Sequence, residues 1–145
     1  MKVKVKKINN NSSLPEKGSK DAMAFDLFSD VTLSIPTQSV YLIPTGIALE
    51  PPAGYGFRIN ERSGWASLGL NIGAGNIDSD YRGEIKVVAR NVSDEPIKIK
   101  KGDKIAQIRL VKVHNIELEE VETLTETERG EKGFGSTDIA KEKVG

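Results

Sequence analysis

Apolar and polar residues alternate along this chain in short runs, and no segment keeps apolar residues at helical spacing for three turns. In Glu84–Asn91, Ile85, Val87 and Ala89 fall on one face while Lys86 and Arg90 fall on the other, as a strand with one buried and one wet face requires. The start of the chain behaves alike. The lysines from Lys2 to Lys7 alternate with Val3 and Val5, so they read as the solvated face of a strand rather than as a nucleic-acid arm. The pattern predicts strands over Lys2–Ile8, Val31–Ile35, Val40–Pro44, Gly46–Leu49, Gly56–Asn60, Glu84–Asn91, Ile97–Ile99 and Lys104–Val113. Pro51-Pro52 with Gly54, Asp94-Glu95-Pro96 and Lys101-Gly102-Asp103 punctuate these runs as turns. Many short strands at close spacing predict an all-β sandwich, barrel or jelly roll.

After Val121 the pattern lapses. The segment "ETLTETERGEKGFGSTDIAKEKVG" carries Leu124, Phe134, Ile139 and Val144 as its only large apolar side chains, too little surface to order itself. The expected organisation is a core over residues 1–121 followed by a flexible arm over residues 122–145. Within that arm, "RGEKGFGST" sets a single aromatic among glycines and hydroxyls, which is unlike a solubilising tail. Charge changes at the same place: the chain is neutral overall, but basic residues outnumber acidic ones up to Ile116 and the reverse holds beyond it.

Composition narrows the chemistry. A chain of 145 residues, 37% hydrophobic and 29% charged, makes one folded domain with a tail. Without cysteine there is no disulfide framework, thiol nucleophile or cysteine-ligated metal, and His114 is the one imidazole available to a triad or a metal site. If the chain is an enzyme, carboxylates carry the proton transfer. Apolar runs fall far short of the roughly 20 residues a bilayer span needs, and the start lacks the apolar core of a signal peptide, so the expectation is a cytoplasmic protein without membrane contact. No basic groove with interleaved aromatics points to nucleic acid.

Five segments hold residues capable of chemistry. In "GAGNIDSDYRGEI", Asp78 and Asp80 lie two apart and would project from one face of an extended chain, where a carboxylate can activate a water. The same residues also suit a polar hairpin end, with Gly73, Gly75 and Gly83 supplying positive φ. In "ERSGWAS", Arg62, Ser63 and the amides around Gly64 combine a guanidinium, a hydroxyl and backbone donors, which are phosphate-binding groups, although a plain turn with a surface arginine reads equally well. Trp65, close to that reversal, is expected to cover an edge of the core. In "GDKIAQIRL", Gln107 presents an amide that can donate to an oxyanion or merely pair on the surface. Asp26 in "AMAFDLFS" is an acid in apolar company, either paired in the core or close to a metal or polar site. In the arm, Arg129, Ser136 and Thr137 could bracket a polyanion while Phe134 stacks on a planar ring.

In this order and spacing, "AMAFDL", "ERSGWAS", "GNIDSDYRGEI", "GDKIAQI" and "RGEKGFGST" resemble the five motifs of the trimeric dUTP diphosphatase (dUTPase) family. The resemblance spans nearly the whole chain, and its third and fifth strings are the most specific. It implies a jelly-roll homotrimer that hydrolyses dUTP to dUMP and pyrophosphate with Mg2+, with each active site shared between subunits and the arm closing over a neighbour's nucleotide. By the resemblance, Asp78 is the catalytic aspartate that deprotonates the water attacking the α-phosphorus, and Tyr81 packs under the deoxyribose and excludes a 2′-hydroxyl. The hairpin Gly73, Gly75, Asn76, Ile77 to Asp78 pairs with uracil through backbone groups, with Lys86 on the following strand. Arg62, Ser63, Gly64 and Gln107 hold the phosphates. Asp26 holds magnesium through water, the triphosphate supplying its direct ligands. Arg129, Ser136 and Thr137 clamp the terminal phosphate, and Phe134 stacks on uracil beside Gly135.

The chain departs from the usual motifs at Ala24, where glycine is common, and at Glu61 and Trp65, where proline and leucine are common. Glu61 would set a negative charge near a phosphate site, and Asn76 would set an amide at the base hairpin, with dCTP acceptance as a possible result. The related dCTP deaminases share the fold and the phosphate site, but "IDSDYRG" and "GFGST" are diphosphatase features. A nucleotide-sensing or protein-binding role on the same scaffold is the alternative from a different class.

Overall fold

The computed structural model describes residues 1–135. They fall into two compact units, Met1–His114 and a second that begins at Asn115. In the second, Ile116, Leu118 and Val121 are exposed, and no strand is formed among its described residues.

The first unit is built of strands β1 (Lys4–Lys7), β2 (Glu16–Lys17), β3 (Phe25–Phe28), β4 (Leu33–Ile35), β5 (Val40–Glu50) and β6 (Tyr55–Asn60), a single-turn helix α1 (Ser63–Ser67), then β7 (Leu70–Gly73), β8 (Asn76–Ile77), β9 (Glu84–Asn91), β10 (Ile97–Ile99) and β11 (Lys104–Lys112). All pairings are antiparallel. The strands form a sheet ordered β1-β5-β9-β7, another ordered β2-β3-β11-β6-β8, and the pair β10-β4. The all-β expectation holds. Between the sheets lies a core rich in β-branched side chains, in which Leu27, Ile43, Ile85, Val87, Ile99 and Ile105 are all but inaccessible. Each such burial is worth about 1.5–3 kcal/mol relative to exposure.

Two predicted strands, Val40–Pro44 and Gly46–Leu49, are one. The register against β9 slips between Pro44 and Ala48, and Gly46 takes φ 70, so the chain bulges instead of turning back. The Gly46 amide donates to Glu84 Oε2 at 3.0 Å, which ties the bulge to the start of β9. At the N-terminus the alternation of β1 is real, but its apolar side is only half-covered: Val3 and Val5 stay partly exposed over a cleft lined also by Leu49, Phe57 and Leu110.

The hairpin from β7 to β9 hangs on the far edge of β6. Phe57 stands opposite Ile77 and Arg58 opposite Asn76, and the Ile59 amide donates to the Gly75 carbonyl at 2.8 Å. Glycine is required at 75 because a Cβ there would run into the Ile59 carbonyl oxygen. Positive φ is not the reason, contrary to the sequence reading of Gly73, Gly75 and Gly83; in this loop the left-handed residue is Ala74, at φ 47. Gly83 is likewise a matter of space, since a Cβ there would lie 2.5 Å from the Tyr81 hydroxyl.

The turn after β8 is held from outside. Arg82 Nη1 donates to the carbonyls of Ser79 at 2.7 Å and Tyr81 at 3.2 Å, while its Nε lies 3.4 Å from Glu50 Oε1. Lys4 Nζ reaches Glu50 Oε2 at 3.1 Å. The hydrogen bond and charge of Lys4, helped by Arg82, hold the Glu50 carboxyl below its ordinary value.

Gly75→Ala should lower stability by roughly 1–3 kcal/mol, by forcing β8 off β6, as read by denaturant unfolding; an unchanged midpoint would mean the loop yields without cost. For Glu50 the folded pKa is depressed, so its stabilising effect is present above the unfolded carboxylate value of about 4.3 and is lost as pH falls through the folded value. Wild type should therefore melt above Glu50→Gln at neutral pH in low salt, and the gap should close in acid and in molar salt, because the ions are exposed. A gap that persists in acid would assign the effect to packing.

Candidate functional site

Two strand pairings line up the polar residues at one end of the β3-β11-β6 layer. Gln107 of β11 stands opposite Asp26 of β3 on one side and Asn60 of β6 on the other, so the three side chains share a face. Asp26 is 7% exposed. Beyond Asn60 the chain leaves the sheet through Glu61 and Arg62 into α1, which is one helical turn where the sequence suggested a plain turn.

Arg62 lies in extended backbone, at φ −92 and ψ 138, and turns back over the sheet. Its Nε donates to Asp26 Oδ1 at 3.0 Å and its Nη1 to the Lys104 carbonyl at 3.3 Å. Lys104 Nζ lies 3.7 Å from Asp26 Oδ2. Two cations thus face one nearly buried carboxylate, leaving a net positive group, and the Arg62 and Lys104 side chains remain 36% and 40% exposed. Such a group suits an anion. Ser63 and Gly64 are exposed beside it.

Gln107 Nε2 donates to the Glu61 carbonyl at 2.8 Å, which commits one of its two amide hydrogens and leaves the other. The Glu61 carboxylate does not point at this group. Its Oε1 accepts from the Ile72 amide at 3.0 Å, so the negative charge caps the start of the hairpin. Trp65 packs against the core, as expected, but its indole also donates to the Lys104 carbonyl at 2.8 Å.

The second group is the hairpin. Gly73 pairs with Val88 of β9, and Lys86 is exposed two positions along the same strand. Asn76 Oδ1 accepts from Arg58 Nη1 at 2.7 Å. Ile77 is half-buried against the core. Asp78 is exposed; its carbonyl accepts from the Tyr81 amide at 3.1 Å, and its carboxylate has no hydrogen-bond partner among the described residues. It lines an open cleft with Arg58, Asn76, Asp80 and Val111. The Tyr81 hydroxyl donates to the Glu84 carbonyl at 2.8 Å, which fixes its half-exposed ring.

In the second unit, Arg129 Nε donates to the Lys132 carbonyl at 2.8 Å, and the Lys132 amide donates back to the Arg129 carbonyl at 3.2 Å. Phe134 is fully exposed at φ 52, next to Gly135 at φ 73. Ser136 and Thr137 lie outside the described residues.

The structure therefore gathers Asp26, Arg62 and Gln107 into one bonded group and Gly73 to Tyr81 into one hairpin. No hydrogen bond or ion pair among the described residues joins Asp78 to Arg62. Lys104 was missed by the sequence reading, because strict alternation sets it on the face opposite Gln107. The register shift between Lys104 and Ala106 cancels that alternation and brings Lys104 to Asp26. Arg82 was passed over as a flanking residue, although it holds the turn that carries Asp78.

The dUTPase family model matches residues 10–138. The deoxyuridine 5′-triphosphate nucleotidohydrolase of Nautilia profundicola is 46% identical, covering 94% of this chain and 99% of that protein. The dUTPase of Staphylococcus bacteriophage 80alpha, solved with dUPNHPP, superimposes with a TM-score of 0.87 at 30% identity over 95% of this chain and 99% of that one. A variant dUTPase from phage phi11 of S. aureus, solved for the coordination of a structural Mg(II) ion, gives a TM-score of 0.79 at 25% identity over 87% and 100%. With a matching fold, a match through residue 138 and the five motif segments in order, this chain belongs to the dUTPase family.

Proposed function

We propose that this protein hydrolyses dUTP to dUMP and pyrophosphate, which keeps uracil out of DNA and supplies dUMP for dTMP synthesis. The observation that carries the reading is family membership over residues 10–138, supported by a relative of that activity covered almost end to end.

Asp78 is the general base. Its carboxylate is exposed and, among the described residues, unpaired, so its lone pairs are free to orient and deprotonate the water that attacks the α-phosphorus. Tyr81, held by the Glu84 carbonyl, offers its ring to the deoxyribose and excludes a 2′-hydroxyl. The backbone from Gly73 to Ile77 recognises uracil, with Lys86 alongside. Because Arg58 occupies the Asn76 oxygen, that amide is left with donors, which suit the uracil O4 and not the cytosine amino group.

Arg62, Ser63, Gly64 and Gln107 hold the phosphates. In a homotrimer, the arm of another copy closes over the nucleotide, with Arg129, Ser136 and Thr137 on the terminal phosphate and Phe134 with Gly135 against the base. Such sharing accounts for the lack of a bond between Asp78 and Arg62 within one chain.

The donor set fits magnesium carried by the triphosphate and not a protein-built metal site. Among the described residues no three His, Cys, Asp or Glu side chains converge, and Asp26, already between Arg62 and Lys104, would meet the ion only through water. Magnesium held there would supply positive charge against that developing on the pyrophosphate.

Pyrophosphate release from dUTP, dCTP, dTTP and UTP, with magnesium and with chelator, tests the reading. Magnesium-dependent release from dUTP alone is expected; release from none of them would overturn it, and release from dCTP would overturn the role given to Asn76. Asp78→Asn should lower kcat by about a thousandfold while dUTP still binds, as seen by calorimetry, and normal turnover would remove Asp78 from the mechanism.

A further inference from the structure

We propose that Trp65 is a positioning residue for the phosphate site, acting through the Lys104 carbonyl on Arg62. The inference rests on the dUTPase reading for the role of Arg62, and on this chain's own geometry for the rest.

The Lys104 carbonyl oxygen has two lone pairs, and two side chains take them. Trp65 Nε1 donates at 2.8 Å and Arg62 Nη1 at 3.3 Å. Lys104 stands where β11 changes register against β3, so the regular ladder does not determine its peptide orientation. Trp65 can, because its ring is packed against the core cluster and its N–H is the closer donor. With that carbonyl fixed, Arg62 meets two acceptors set apart, Asp26 Oδ1 for its Nε and the Lys104 oxygen for its Nη1. Two acceptors fix the plane of a guanidinium, leaving its remaining N–H groups aimed at the open side.

A tryptophan that merely filled space would be replaced by phenylalanine with little selectivity for ligand. A positioning tryptophan makes a different demand: loss of its N–H should be felt by phosphates and not by the nucleoside. Calorimetric titration of wild type, Trp65→Phe and Trp65→Leu with the non-hydrolysable analogue α,β-imido-dUTP and with 2′-deoxyuridine separates the two. Trp65→Phe and Trp65→Leu should bind the analogue about fivefold more weakly, the scale of one lost hydrogen bond, with deoxyuridine binding unchanged. In an Arg62→Ala background the substitution at 65 should cost nothing further. Equal weakening for both ligands, or a full effect without Arg62, would overturn the proposal in favour of a packing role, and so would unaltered binding of both. If wild type itself fails to bind the analogue, the dUTPase reading falls and this inference falls with it. Thermal melts of each variant confirm that the proteins compared are folded.

Discussion

Six consecutive residue pairs hold β6 against β11, from Asn60 opposite Gln107 to Tyr55 opposite Lys112, and the rest of the site is referred to that register. Because side chains alternate with a period of two, a slip of one residue would turn Gln107 off the face it shares with Asn60 and bring the apolar Ala106 or Ile108 into its place. The same strand serves on its other edge as the support for β8, and its end launches Arg62. The β7–β9 hairpin and the group around Arg62 are thus both extensions of β6, and their separation within one chain is a property of the sheet rather than of any loop. Core side chains such as Ile59 and Ile108, which are opposite one another in that pairing and nearly inaccessible, secure the register by burial.

The charges follow a simple rule of containment. Each carboxylate near Arg62 is already spoken for: Asp26 by Arg62 and Lys104, Glu61 by the Ile72 amide. What faces outward from that group is positive. In the hairpin the opposite holds, since the carboxylates of Asp78 and Asp80 are both exposed and without a hydrogen-bond partner among the described residues. An enzyme that must bind a polyanion and also deprotonate a water needs these two conditions kept apart.

Much of this was legible in the sequence. Alternation marks β9, β10 and β11 closely, and the motif strings point to Asp26, Arg62, Gln107 and Asp78. β3 was hidden because Asp26 and Leu27 are both buried, which breaks the two-residue period. β8, with two residues, is too short to show any period, whereas β7 alternates over Leu70, Asn71, Ile72 and Gly73 and is not among the predicted strands. A bulge is invisible to pattern, so alternation divides β5 into two strands and gives no sign that Lys104 shares a face with Asp26. The glycines were located correctly and explained wrongly, because close approach to a distant segment, such as Gly75 against Ile59, is tertiary information. Glu61 looked unfavourable only while its partner amide, eleven residues ahead, was unknown.

Trp65 is the single tryptophan of the chain. Its half-buried indole, bonded to the carbonyl that Arg62 also uses, makes the protein's long-wavelength fluorescence a report from one place. Emission from an indole responds to the loss of its N–H partner and to the polarity around it. A rearrangement of Arg62 or of the Lys104 carbonyl is therefore open to optical detection in the unmodified chain, without a label and without turnover.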